Sequence, residues 1–123
     1  MSSLPRPRCI QRERVSGVPY KLRGSRRKEK MGLFKYTLSG EGIFNDGREH
    51  RMSMGRAFLC EVHDPRVSYY YPPDGEEPWE FLFIAFENAG GVVRDVVRRF
   101  GSAFELAPES PLLKRLQSIG RRG

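Results

Sequence analysis

Apolar and polar residues alternate in short bursts between Phe34 and Phe86. In Phe34-Lys35-Tyr36-Thr37-Leu38, apolar and polar side chains take turns, the period of a strand with one face buried. Ser39-Gly40-Glu41-Gly42 interrupts the run with two glycines, as a turn or bulge requires, and Ile43-Phe44 resumes it. Asn45-Asp46-Gly47 is a tight-turn signal, because these residue types tolerate positive φ. Arg48 to Met54 is the returning arm. Ala57 to Val62 and Val67 to Tyr71 follow, the latter closed by Pro72-Pro73-Asp74-Gly75. Trp79 to Phe86 is apolar on both faces, as a central strand is. Strands this short, with turn signals between them, predict an antiparallel sandwich or small barrel.

The period also assigns faces. Arg56, Phe58, Cys60 and Val62 share one side of their strand; Ala57, Leu59, Glu61 and His63 share the other. Tyr69 and Tyr71 lie together, opposite Tyr70. Trp79, Phe81 and Phe83 form one face, and Leu82, Ile84 and Phe86, with Glu80, form the other. Beyond Gly91 the period changes. Val92, Val93, Val96, Val97 and Phe100 fall on one stripe of a helix, with Arg94, Asp95, Arg98 and Arg99 outside. Gly101 is a suitable C′ stop. Ser110-Pro111 reads as an N-cap followed by proline at the first helical position. Leu112, Leu113, Leu116 and Ile119 continue it as a second apolar stripe, a candidate dimer face.

At 123 residues the chain is expected to form one domain. No apolar stretch approaches the roughly 20 residues of a transmembrane helix. The N-terminus has arginines but no apolar signal-peptide core. A cytoplasmic protein with no membrane partner is therefore expected, and Cys9 and Cys60 read as reduced thiols, Cys60 as a small core side chain. The net charge of +7 is uneven: residues 1–30 hold ten Lys or Arg against Glu13 and Glu29. Residues 31–90 hold five basic groups against ten acidic ones. The first twenty residues, broken by Pro5, Pro7 and Pro19, read as a basic arm. Val15, Val18, Tyr20 and Leu22 are candidates for one short strand leading into the sandwich.

Four segments resemble a known family. Tyr36-Thr37-Leu38-Ser39-Gly40-Glu41-Gly42, Gly55-Arg56-Ala57-Phe58-Leu59, Tyr69-Tyr70-Tyr71-Pro72 through Glu77-Pro78-Trp79-Glu80-Phe81, and Phe83-Ile84-Ala85-Phe86 follow in the order and spacing of AraC/XylS-type transcriptional regulators. The resemblance is to their N-terminal, arabinose-binding-like effector domain. It implies a mainly β fold: a cupin-like antiparallel β-sandwich or jelly-roll barrel followed by C-terminal α-helices. The division expected is a basic arm at 1–20, the barrel at 21–88, and helices beginning a dimerisation region at 89–123. The DNA-binding domain of the family is absent from this chain, which is expected to be either a truncated regulator, the favoured reading, or a stand-alone sensor. Its partners would be a small-molecule effector, sugar or sugar-like, and a second copy in a homodimer, with DNA reached only through the absent domain.

A ligand pocket is mostly apolar, with a few polar groups that orient the ligand. Tyr36, Arg56, His63, Tyr69, Tyr71, Trp79 and Phe81 are the expected ligand-binding residues. Arg56 and His63 supply polar groups and the aromatic residues supply stacking faces. The family's sugar binders take an aromatic from the strand that starts at Trp79. Metal-binding cupins place a His-x-His pair before Phe34, where this chain has Arg26-Arg27-Lys28-Glu29-Lys30. Gly55 to His63 has the spacing of the later cupin motif, which leaves only His63 and Glu61 as ligands, too few for a transition metal. No metal, cofactor or catalytic residue is expected, and the chain is expected not to be an enzyme. The alternatives are a metal-dependent cupin enzyme, or a small nucleic-acid-binding protein acting through its basic ends.

Overall fold

The computed structural model describes residues 6–17, 19–28, 30–87, 90–107, 109–111 and 114, with 6–10, 90 and 92 described by backbone alone. Nine strands and one α-helix appear among them. The strands are β1 (Arg6–Val15), β2 (Lys21–Arg23), β3 (Met31–Ser39), β4 (Gly42–Asn45), β5 (Glu49–Met52), β6 (Arg56–Glu61), β7 (Ser68–Tyr70), β8 (Trp79–Glu87) and β9 (Ala103–Glu105). The helix α1 (Gly90–Phe100) lies between β8 and β9. One antiparallel sheet runs β1-β8-β3-β6-β9 and the other β2-β7-β4-β5. The described residues form a β-sandwich with one short α-helix. The second expected helix, from Ser110, lies almost wholly outside the described residues.

Residues 6–15, expected as an arm, are an edge strand. They pair with β8 from Arg6↔Glu87 to Val15↔Trp79, with a register shift between Pro7 and Cys9. An edge is where a sheet tolerates proline, which has no N–H to give to a ladder. Between β4 and β5 the Asn45-Asp46-Gly47 signal forms its turn. Gly47 sits at φ 109°, its N–H donates to Asn45 Oδ1 at 2.8 Å, and the Arg48 N–H donates to Asp46 Oδ1 at 3.3 Å. Helix α1 ends as its sequence asks: Gly101 takes φ 85° and donates its N–H to the Val97 carbonyl at 2.9 Å.

Two apolar layers hold the sandwich. Between the sheets lie Leu33, Phe44, Met52, Phe58, Cys60, Val62, Tyr69, Tyr71, Trp79 and Phe81. On the outer side of the five-stranded sheet lie Phe34, Tyr36, Ala57 and Ile84, with Phe104 and Leu106 packed on them. The two faces of β6 and β8 fall as the period assigns them. Strand β3 is the exception in kind: its apolar alternates face the outer layer, and its polar alternates, Lys35 and Thr37, are buried between the sheets. A sheet covered on both sides leaves no solvent face for them.

The sheets are keyed together at Trp79. Its Nε1 donates to Thr37 Oγ1 at 2.9 Å, and Thr37 donates in turn to the Met52 carbonyl of β5 at 3.0 Å. The indole lies flat on Gly42 of β4, where a Cβ would come within 2.2 Å of the ring. Among the described residues no helix is long and apolar enough to cross a membrane.

Two glycine substitutions separate close approach from conformational freedom. Gly42→Ala drives a methyl into a fully buried ring and is expected to cost about 1–3 kcal/mol in chemical denaturation. Gly91→Ala, in a helix with open space beside it, is expected to stabilise by about 0.5–1 kcal/mol. Equal effects at the two sites would contradict this packing.

Candidate functional site

Four of the expected ligand residues, Tyr69, Tyr71, Trp79 and Phe81, are brought together between the sheets. The space among them is filled by Lys35, 3 % exposed. Its Nζ lies 3.8 Å from the centroid of Phe81, 4.3 Å from Tyr69, 5.0 Å from Trp79 and 5.3 Å from Tyr20. Phe58 and Phe83 close the box at 5.9 and 6.0 Å. Lys35 Nζ is hydrogen-bonded to the Tyr20 hydroxyl at 2.7 Å, which seals the box on the side of the β1–β2 connection. Tyr71 is tied elsewhere, its hydroxyl donating to the Glu77 carbonyl at 2.6 Å.

An amine so enclosed loses most of its hydration. Burial pushes the Lys35 ammonium down to about 7, and the Glu13 carboxylate and the nearby Cys60 pull against that fall. Attraction to the ring faces also favours the charged form, but desolvation dominates. The same burial pushes the Cys60 thiol up to about 12 and the Tyr69 hydroxyl up to about 12. It raises Tyr20 as well. Arg27 lowers both: Lys35 through its charge, and Tyr69 through its charge and a side-chain hydrogen bond.

The other expected residues lie apart. Tyr36 belongs to the outer layer, its hydroxyl 3.4 Å from the Leu106 carbonyl. Arg56, at the start of β6, reaches Glu105 of β9 at 3.4 Å, and its buried Nε has no hydrogen-bond partner among the described residues. His63 follows the end of β6, and its buried Nδ1 likewise has no partner among them.

Open space lies at one end of the sandwich instead. A cavity of about 500 Å³ sits between α1 and the sheets. Phe44, Cys60 and Val67, all members of the inter-sheet core, line it. Val93, Arg94, Val97 and Arg98 of α1 line it too, and Asp46, Glu61, Asp64, Arg66 and Ser102 add polar groups. Asp46 is held by three donors: His50 Nε2 is 3.0 Å from its Oδ1, the Arg48 N–H reaches the same oxygen, and the Ser102 hydroxyl donates to Oδ2. Burial alone would raise the Asp46 carboxyl; the hydrogen bonds from Ser102, His50 and Arg48 outweigh it and hold the group below its ordinary value. Arg66 holds Asp64 low through its hydrogen bond at 2.8 Å. Arg94 pairs with Glu61 at 3.4 Å. Arg98 has no carboxylate partner among the described residues. No group of three or more potential metal ligands occurs among them.

Lys35 and the polar rim of this cavity were not legible as a site. A lysine between aromatic neighbours in a strand has the same local pattern whether it points to water or to the core. Asp46 reads as a turn residue and Glu61 as a strand alternate until α1 is set beside them.

No protein-family model and no curated protein matches the chain. Among solved structures, one titled as the structure of KdgF from Halomonas sp. is 22% identical and aligns over 63% of this chain and 76% of that one, at a TM-score of 0.37. A likeness of that size carries no argument about fold or reaction. One expectation is nevertheless corrected. The expectation that this chain is not an enzyme is withdrawn.

Lys35 gives stability a characteristic pH dependence. Between about 7 and the ordinary value of 10.5, the unfolded chain holds a proton that the folded chain lacks, so stability rises with pH. Cys60 has the opposite sign: from its ordinary value of 9.0 upward, the unfolded chain loses a proton that the folded chain keeps. Urea denaturation across this range is expected to show stability climbing by up to about 1.4 kcal/mol per pH unit above pH 7, levelling off from about pH 9 where the Lys35 and Cys60 contributions cancel, and falling above about pH 10, where the raised Tyr20 and Tyr69 hydroxyls add to Cys60. Lys35→Met is expected to flatten the climb; a climb that survives it would contradict the assignment.

Proposed function

We propose that the chain is a small-molecule-binding sensory domain of the AraC type, built on a cupin-like barrel, with its ligand seated in the cavity under α1. One observation carries this reading: the cavity has one wall of sandwich and one wall of helix. A ligand there touches both at once. Its size is within the roughly 300–1,000 Å³ of small-molecule sites. Carboxylates at Asp46 and Glu61 accept from hydroxyls, and the Arg98 guanidinium, without a carboxylate partner among the described residues, donates, a combination suited to a polyhydroxylated ligand such as a sugar or sugar acid.

The helix is also loosely held. Val93 is buried, Val96 and Val97 are half-buried, and Phe100 is 70% exposed. A ligand that binds one position of α1 more tightly than another shifts the balance by that difference in affinity. In a regulator of this type, such a shift would pass through the segment after α1 to the dimer partner and the DNA-binding domain. A catalytic reading has one observation in its favour, the enclosed near-neutral amine of Lys35. A carbonyl compound would have to displace Tyr20 to meet it.

One experiment separates the two. The protein is screened by thermal shift against sugars, sugar acids and hydroxy acids, and each hit is followed by NMR. A sensor is expected to be stabilised by about 2.7 kcal/mol at a hundredfold excess over Kd and to leave the hit unchanged. Arg98→Ala and Glu61→Gln are each expected to weaken it about tenfold. Conversion of the hit to a product identifies an enzyme. A hit indifferent to both substitutions overturns the seat under α1.

A further inference from the structure

We propose that the recess formed by Lys21, Leu22, Arg23, Arg26 and Arg27 is a second, separate site that binds a phosphate group, carried by a small phosphorylated molecule or by a nucleic-acid strand. The recess has a volume of about 410 Å³ and shares no lining residue with the cavity under α1.

The first support is charge. Elsewhere the arginines are mostly paired: Arg12 with Glu80, Arg51 with Glu41 and Asp74, Arg56 with Glu105, Arg66 with Asp64, Arg94 with Glu61 and Arg99 with Asp95. Around the recess the pattern breaks. Among the described residues Lys21, Arg23 and Arg26 have no carboxylate partner, and all three are exposed. Lys21 rests on the Tyr70 ring, its Nζ 4.9 Å from the centroid. Three exposed cations without a carboxylate partner among the described residues repel one another, and an anion placed among them relieves each pair.

The second support is rigidity. These side chains stand on a backbone pinned at several points. β2 pairs with β7 from Lys21↔Tyr70 to Arg23↔Ser68. The Gly24 N–H donates to the Val67 carbonyl at 2.8 Å, and the Arg27 N–H donates to the Gly24 carbonyl at 3.0 Å. Gly24 itself is pressed so closely to the next loop that a Cβ would meet the Asp64 carbonyl oxygen at 1.8 Å. A 3-10 turn, Gly24–Arg26, sets Arg23, Arg26 and Arg27 around the hollow. A fixed scaffold spares the ligand the cost of ordering it. Guanidinium forks match phosphate oxygens in pairs, so arginine suits this ligand better than lysine would.

None of the described residues lining the recess is aromatic, so recognition would be of the phosphate and not of sequence.

The test uses the whole chain at low salt with two probes, inorganic pyrophosphate by calorimetry and a labelled single-stranded oligonucleotide by fluorescence anisotropy. At least one is expected to bind, with affinity that falls as salt rises. The double substitution Arg23→Gln with Arg26→Gln, both on exposed side chains, is expected to weaken binding about tenfold or more and to flatten the salt dependence, with the near-ultraviolet circular dichroism unchanged. Binding of pyrophosphate alone assigns the site to small phosphorylated molecules; binding of the oligonucleotide alone assigns it to nucleic acid. Absence of binding by either probe, or binding equal in the variant, overturns the proposal.

Discussion

One indole ties this fold together. Trp79 is fully buried on β8 of the five-stranded sheet, lies on Gly42 of the four-stranded sheet, and donates its single N–H to Thr37. Thr37 then donates across to the Met52 carbonyl. Each link exists because the one before it does. Gly42 must lack a side chain for the ring to lie flat, and the ring must lie flat for its N–H to reach Thr37. Thr37 must face inward to accept it. A strand that turns Thr37 inward turns Lys35 inward as well, two residues away on the same face. The buried lysine is thus a geometric consequence of the tryptophan key, and the aromatic residues around it supply the ring faces that a buried cation needs.

That consequence decides where open volume remains. A sandwich with an empty interior offers its ligand the space between the sheets. Here the space is occupied by Lys35 and capped by Tyr20, and the open volume is displaced to the end where α1 crosses the rim. The chemistry changes with the location. The interior is aromatic and carries one amine; the end cavity carries carboxylates, guanidiniums and a hydroxyl. Ion pairs along that rim are partly exposed and contribute little to stability individually. On the proposed reading they would let the helix shift at small cost, as a sensor requires.

Much of the architecture was legible. The two-residue period placed Trp79, Phe81 and Phe83 together, and Tyr69 with Tyr71, because both faces of those strands are packed and either parity is apolar. The Asn45-Asp46-Gly47 turn and the Gly101 stop depend on backbone chemistry that composition states directly. The failures share one cause. Strand β3 was read from its alternation as having one wet face, and whether a face is wet depends on the sheet packed against it. The basic arm was misjudged for a related reason: its arginines, prolines and lack of core-formers describe an edge strand as well as a free tail. The cavity was not legible at all, since its walls come from the β4–β5 turn, the end of β6, the loop after it and α1, segments far apart in the chain.

The account depends most on the closed, dry interior, and the direct measurement is a ¹⁵N NMR titration of the Lys35 side-chain amine. The structure predicts a midpoint near 7, with the resonance protected from exchange by the rings and Tyr20. A midpoint near the ordinary 10.5 would mean that water reaches the amine. The space between the sheets would then be an open chamber, and the proposed ligand seat would move from the helix back to the interior.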